Sequence, residues 1–238
     1  MKKLAFFFSI FVIGLFSHPT DVKSPDVIDL QHLDLELSRK YSGEDWQGIE
    51  AICRPFAGAL ELIPYFEALQ QKFQIQDAVM TGSWDSDTAC YLSIQFDNLY
   101  TMESDPSSFQ RALYDRSSNV RLQFGFSPDM LKQLLPDLKD SPVFFYLGVQ
   151  KNSPRSLRDE LQSIVTTHYN NCIIVIDDCQ VPGRQDLSYE TSYEAIKFLL
   201  GKIYPSYLYC YLIPKTPGAK AKLVIVPRSW VGEDQKIF

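Results

Sequence analysis

From Asp77 onward, short apolar runs alternate with amphipathic segments at intervals of roughly 20 to 30 residues. This rhythm constrains the fold more than any other feature of the chain. The runs are Ala78–Met80, Asn98–Met102, Val120–Phe124, Val143–Leu147 and Cys172–Ile176. Helices are expected between them, over about Asp87–Phe96, Pro106–Asp115, Pro128–Leu135 and Ser156–His168. Several of these open on serine or aspartate, or have proline in the first turn, as helix starts do. A further helix near Tyr193–Leu200 precedes two more runs, Tyr207–Ile213 and Lys222–Val226. Only a short turn containing Pro217 and Gly218 separates that last pair, so they read as a hairpin. The pattern predicts an α/β domain over 77–230 with a Rossmann-like, doubly wound, mostly parallel sheet and a C-terminal antiparallel hairpin.

The chain before that domain is built differently. Lys2 and Lys3 precede an apolar run from Leu4 to Phe16, broken by Ser9 and Gly14 and followed by Ser17, His18 and Pro19. A charged start, an apolar run and a polar exit make residues 1–17 a signal peptide or membrane anchor. The run is short of the ~20 residues that a span needs. No small-x-small pair marks a cleavage point, so an uncleaved anchor is the alternative, and it would be the chain's membrane contact. Export or envelope association follows from either form. A buried first helix, which implies a cytoplasmic chain, is disfavoured because Ser9 alone gives it almost no polar face. Residues 18–28 read as a linker and 231–238 as a tail. Between them, residues 29–76 carry Ile49, Ile52, Phe56, Leu60, Leu62, Phe66 and Leu69 at helical spacing. Pro55 and Pro64 break that region into short helices, expected to cap one face or edge of the sheet.

Charge and cysteine usage exclude some classes. The formal net charge is −6 and there is no lysine- or arginine-rich block, so nucleic acid is not an expected partner. Cys53, Cys90, Cys172, Cys179 and Cys210 form no C-x-x-C pair and no ligand spacing with histidine, which argues against zinc. Most read as core residues; in an exported chain one disulfide could form, leaving an odd thiol.

In a doubly wound sheet, ligands bind beyond the carboxyl ends of the strands. After the first run come Thr81, Gly82 and Ser83, then Trp84, Asp85, Ser86 and Asp87. Gly82 permits a tight turn and close approach of a ligand to the backbone. The G-x-G-x-x-G of dinucleotide sites is absent, which counts against a nicotinamide-dependent enzyme. Glu103 follows the second run, where an acid can accept hydrogen bonds from both hydroxyls of a ribose; a solvated charge or a helix cap is the other reading. Trp84 and Tyr100 could pack or stack on a ligand. His168, near a helix C-terminus, is expected at the surface, where the helix dipole favours a cation.

The strand-end stretches are V-M-T-G-S-W-D-S-D-T, Y-T-M-E-S-D-P, F-G-F-S-P, F-Y-L-G-V-Q-K and I-V-I-D-D-C-Q-V-P-G-R. In order and spacing, from Asp77 to Trp230, they resemble class I S-adenosylmethionine-dependent methyltransferases, locally the small-molecule and sugar O-methyltransferase branch. The resemblance implies a bound S-adenosylmethionine at Thr81, Gly82, Ser83, Glu103 and Gly125. It also implies a small-molecule or sugar acceptor, and Asp177 and Asp178 as candidates for catalysis and for holding Mg2+, although paired acids before a Val-Pro-Gly-Arg turn can also simply cap a loop. Asp186, Glu190 and Tyr193 would line the acceptor pocket, or else form a polar loop and helix start. Several positions depart from the pattern. Met80 stands where an acid is expected before Thr81, and Phe126 where an aspartate is expected after Gly125. Gly148 replaces the acid after the fourth run, and Gln150 replaces a histidine. A hard cation wants several oxygen ligands, and glutamine cannot serve as a general base. A degenerate methyltransferase fold acting as an exported binding module is therefore the alternative function.

Overall fold

The computed structural model describes residues 26–29, 53–82, 86–115, 117–148, 155–183, 189–232 and 237–238. The expected signal or anchor and residues 30–52 of the expected cap lie outside the described residues. The strands are β1 (Asp26–Asp29), β2 (Asp77–Thr81), β3 (Asn98–Glu103), β4 (Val120–Phe124), β5 (Val143–Leu147), β6 (Cys172–Ile176), β7 (Tyr207–Ile213) and β8 (Lys222–Pro227). The helices are α1 (Ile63–Phe73), α2 (Ser86–Gln95), α3 (Pro106–Asp115), α4 (Ser127–Leu138), α5 (Arg155–Val165) and α6 (Tyr193–Ile203).

One sheet takes the order β1-β7-β8-β6-β5-β2-β3-β4. Neighbours are parallel except β8, which runs antiparallel to both β6 and β7. The chain winds outward from β2 to β4, then returns to β5 on the other side of β2. That reversal opens a crevice beyond the carboxyl ends of β2 and β5, the place where doubly wound sheets bind ligands.

Both faces of the sheet are covered, so its central strands are apolar throughout rather than alternating. Every residue of β5 and β6 is buried. Successive side chains point to opposite faces. Phe145, Leu147, Ile174 and Ile176 join Leu131, Leu161 and Ile196 of α4, α5 and α6 in one core. Phe144, Tyr146, Ile173 and Val175 pack on the other face with Phe66, Leu69, Tyr91 and Leu92 of α1 and α2. The chain end returns to that second face. Lys72 donates to the Ile237 carbonyl at 3.2 Å, and the Phe238 ring meets Tyr65 edge-on at 5.0 Å.

Two features differ from the sequence reading. Asp26–Asp29 forms an eighth strand, parallel to β7 with Val27 opposite Tyr211, where a linker giving way to helix was expected. Four residues carry no usable period, and the open edge of β7 supplies the pairing. His168 is buried, at 0% exposure, rather than on the surface. The α5 helix ends at Val165, and the following turn tucks the imidazole beneath the sheet. Its Nε2–H donates to the Leu138 carbonyl at 3.1 Å, Nδ1 meets the Thr167 hydroxyl at 2.9 Å, and the ring stands edge-on to Phe145 at 5.4 Å. Burial lowers its pKa, which the Leu138 carbonyl only partly offsets. None of the five cysteines is in a disulfide; burial pushes the Cys172 thiol up to about 12.

Candidate functional site

Parallel pairing sets Thr81 opposite Met102 and so brings the turn at Gly82 beside Glu103. Gly82 has φ +66, a left-handed conformation that glycine adopts without strain. Glu103 is only 6% exposed, and its Oε1 accepts the Asp105 N–H at 2.7 Å. Asp105, not Glu103, caps α3, accepting the Ser108 N–H at 2.8 Å; hydroxyl and amide donors hold its carboxyl down to about 2. The Gly125 N–H donates to the Glu103 carbonyl at 2.9 Å, tying the ends of β3 and β4 together. Thr81, Gly82, Glu103 and Gly125 therefore share one edge of the crevice. Phe124 and Phe126 flank Gly125, 51% and 38% exposed. Tyr100 sits mid-strand and buried, with the Arg121 guanidinium 5.2 Å from its ring centre, so its role is packing. Ser83 and Trp84 lie outside the described residues.

Across the crevice the geometry is closed. The Gly148 N–H donates to the Thr81 carbonyl at 3.1 Å. A Cβ on Gly148 would stand 2.5 Å from that same oxygen, and backbone cannot yield as a flexible side chain can. Position 148 thus has no room for the acid that the sequence pattern led one to expect. Asp177, just past β6, is fully engaged. Its Oδ2 accepts the Tyr146 hydroxyl at 2.7 Å, and its Oδ1 accepts the Asp178 N–H at 2.7 Å and pairs with the Lys222 ammonium. The lysine side chain is 2% exposed against 24% for the aspartate. Asp178 itself takes a left-handed φ of +48.

These residues do not fit a divalent cation. A lysine already neutralises Asp177, and position 148 offers no side-chain ligand. No group of three or more His, Cys, Asp or Glu suited to a metal occurs among the described residues. Lys222 escaped the sequence reading because it opens an otherwise apolar strand; antiparallel pairing of Ile176 with Leu223 is what delivers it to Asp177. Of the expected acceptor residues, Glu190 is exposed in a short turn. Tyr193 stacks on Tyr209 at 4.2 Å and shares a hydroxyl contact of 2.9 Å with Tyr207, so it belongs to the packed layer under α6. Asp186 and Gln150 lie outside the described residues.

The sequence also gave no notice of Glu160, a mid-helix glutamate on α5. It is 0% exposed. Its Oε1 accepts the Ser127 hydroxyl, and burial pushes its carboxyl up to about 8.

The run β4-β3-β2-β5-β6-β8-β7 is the seven-stranded order, with its C-terminal antiparallel hairpin, of the Rossmann-like methyltransferase fold. Solved structures similar to this chain include the N-methyltransferase NodS from Bradyrhizobium japonicum, at 10% identity and TM-score 0.46 over 69% of this chain and 93% of that one. LepI in complex with S-adenosylmethionine is similar at 14% identity and TM-score 0.46, over 67% of this chain and 46% of that one. Spermidine synthase from Thermotoga maritima is similar at 7% identity and TM-score 0.48, over 67% and 56%. The chain spans about half the length of the last two. No protein-family profile matches the sequence, and no curated protein does.

Proposed function

We propose that the chain binds S-adenosylmethionine at the ends of β2, β3 and β4 and transfers its methyl group to a small-molecule or sugar acceptor. The observation that carries this reading is the buried Glu103 carboxylate beside the left-handed turn at Gly82. One oxygen of Glu103 takes the Asp105 N–H, leaving the other to accept from ribose hydroxyls. The Gly82 turn lets a ligand approach the main chain. When bound, the cofactor supplies a methyl group already activated as a sulfonium. The protein's task is then to hold the acceptor in line, which provides much of the rate. Asp177 makes a poor general base, since Lys222 and Tyr146 occupy its oxygens. An acceptor that arrives anionic, such as a carboxylate, suits the site better than a neutral hydroxyl.

A second reading has its own support. The closed acceptor side, with Gly148 against Thr81 and Lys222 on Asp177, favours a binding module that has kept the cofactor edge alone. The charged and apolar start of the chain points the same way, because an exported protein leaves the cytoplasmic methyl donor behind. Calorimetry of the purified chain with S-adenosylhomocysteine tests both. Heat of binding with methyl transfer to a panel of carboxylates and sugars supports the enzyme, and heat without turnover supports the module. A folded sample that gives no heat overturns both.

A further inference from the structure

Three segments that build the cofactor edge converge on one side chain. Thr81 ends β2 and adjoins Gly82; Ser127 opens α4 two residues after Gly125; Glu160 comes from α5 and lies close enough to both for each hydroxyl to act on its carboxyl. All three are buried, at 0%, 1% and 0% exposure. Ser127 donates to Glu160 Oε1. The Thr81 hydroxyl also acts on this carboxyl, yet its oxygen and Glu160 Oε2 are both buried without a completed hydrogen bond. The threonine hydroxyl can donate to Oε2, and once Oε2 is protonated the same contact can run the other way, with Oε2 donating to the threonine oxygen.

We infer that Glu160 is a positioning residue whose un-ionised carboxyl clasps Thr81 to Ser127 and so fixes the Gly82 turn for its ligand. The inference rests on the cofactor reading for the ligand's identity, though not for the clasp itself. Burial favours the neutral form and outweighs the Ser127 and Thr81 hydroxyls, which favour the ionised one; the one charge acting on it among the described residues is Asp159, a like charge on its own helix. No cation among the described residues acts on this carboxyl, and an unpaired buried charge is costly. The closed arrangement therefore holds a proton up to about pH 8, whereas an opened turn returns the carboxyl to its ordinary value of 4.5. Between those values the closed form binds more protons, so its advantage shrinks as pH rises and is spent above about 8.

The test compares the wild-type chain with Glu160→Gln, which keeps the shape and can donate to Thr81 while accepting from Ser127, yet cannot ionise. Hydrogen exchange at residues 81 and 82, corrected for intrinsic rates, is followed from pH 5 to 9.5 without ligand. S-adenosylhomocysteine affinity is measured on the same samples. Wild-type protection should decline toward pH 8 and level off, with affinity at least about 10-fold weaker at pH 9 than at pH 6; Glu160→Gln should stay flat in both. Matching profiles for the two proteins overturn the clasp. If neither binds S-adenosylhomocysteine, the cofactor reading falls alone, and the ligand-free exchange still decides for or against Glu160. Glu160→Leu, where it folds, should lose protection at every pH; full protection in that variant also overturns the inference.

Discussion

The crevice has two sides built to opposite rules. On the β2–β3–β4 side lie a left-handed turn, a carboxylate with one oxygen given to a backbone N–H, and two partly exposed phenylalanines. On the β5–β6–β8 side, backbone meets backbone at Gly148 and the acid at the strand end is tied to an internal lysine. In a strand-end site, charges facing the crevice are available to substrates only when the protein has not already paired them. Under the proposed function, holding a cofactor and activating an acceptor are separable properties of one sheet edge, and the second is the one for which the acid is already paired.

The sharpest way to break that contrast is to remove the pairing. Asp177→Ala leaves an ammonium at 2% exposure with no partner, and should cost about 3–5 kcal/mol in denaturant unfolding. Lys222→Met should cost less, since Asp177 is 24% exposed and can reach water. Combining the two substitutions should recover part of the loss. Equal and small effects for both singles would mean that the pair is incidental. Next, Gly148→Ala forces a Cβ to within 2.5 Å of the Thr81 carbonyl and should destabilise by about 3 kcal/mol, the upper end of ordinary overpacking. A neutral result would show that the acceptor side can open. On the opposite side, Glu103→Ala should weaken S-adenosylhomocysteine binding by about 2 kcal/mol, the worth of a hydrogen bond to a charged group. Unchanged affinity in calorimetry would remove the adenosyl site from this edge.

The smallest expected effect concerns the floor that both sides share. His168 lies under Phe145 of β5 with its pKa lowered by burial. The unfolded chain takes up the proton near 6.5 while the folded one resists, so this group's stabilisation is intact above that pH and declines below it. The urea midpoint of the wild type should fall between pH 7.5 and 5.5 by more than that of His168→Gln. Identical pH dependence would place the imidazole in water.

What the sequence disclosed follows from the range of the interactions involved. Strands β2 to β8 and the helices between them rest on local apolar rhythm, and their expected limits lie within a few residues of those observed. Strand β1 does not, because its partner β7 is far along the chain and four residues carry no rhythm of their own. The shared position of Thr81, Gly82, Glu103 and Gly125 along one sheet edge was legible because a strand end is a place that a sequence can mark. Lys222 and Glu160 were not. A lysine opening a strand and a glutamate inside a helix both look like solvated charges until antiparallel pairing and helix packing bury them. His168 was misread for the same reason, and the missing acid at 148 was visible while its steric cause was not.

The contact between Gly148 and Thr81 also bears on how such a chain can change over generations. A carboxylate cannot be introduced at position 148 in one step, since the first atom of any side chain meets the carbonyl of residue 81. The turn after β2 would have to withdraw first, and that turn is the one on which Gly82 depends. The order of events is thereby imposed: a descendant that gained an acid there would first pass through forms with a loosened turn after β2. Directed evolution toward a metal-assisted activity should start from variants of the 81–82 turn, with position 148 randomised only afterwards.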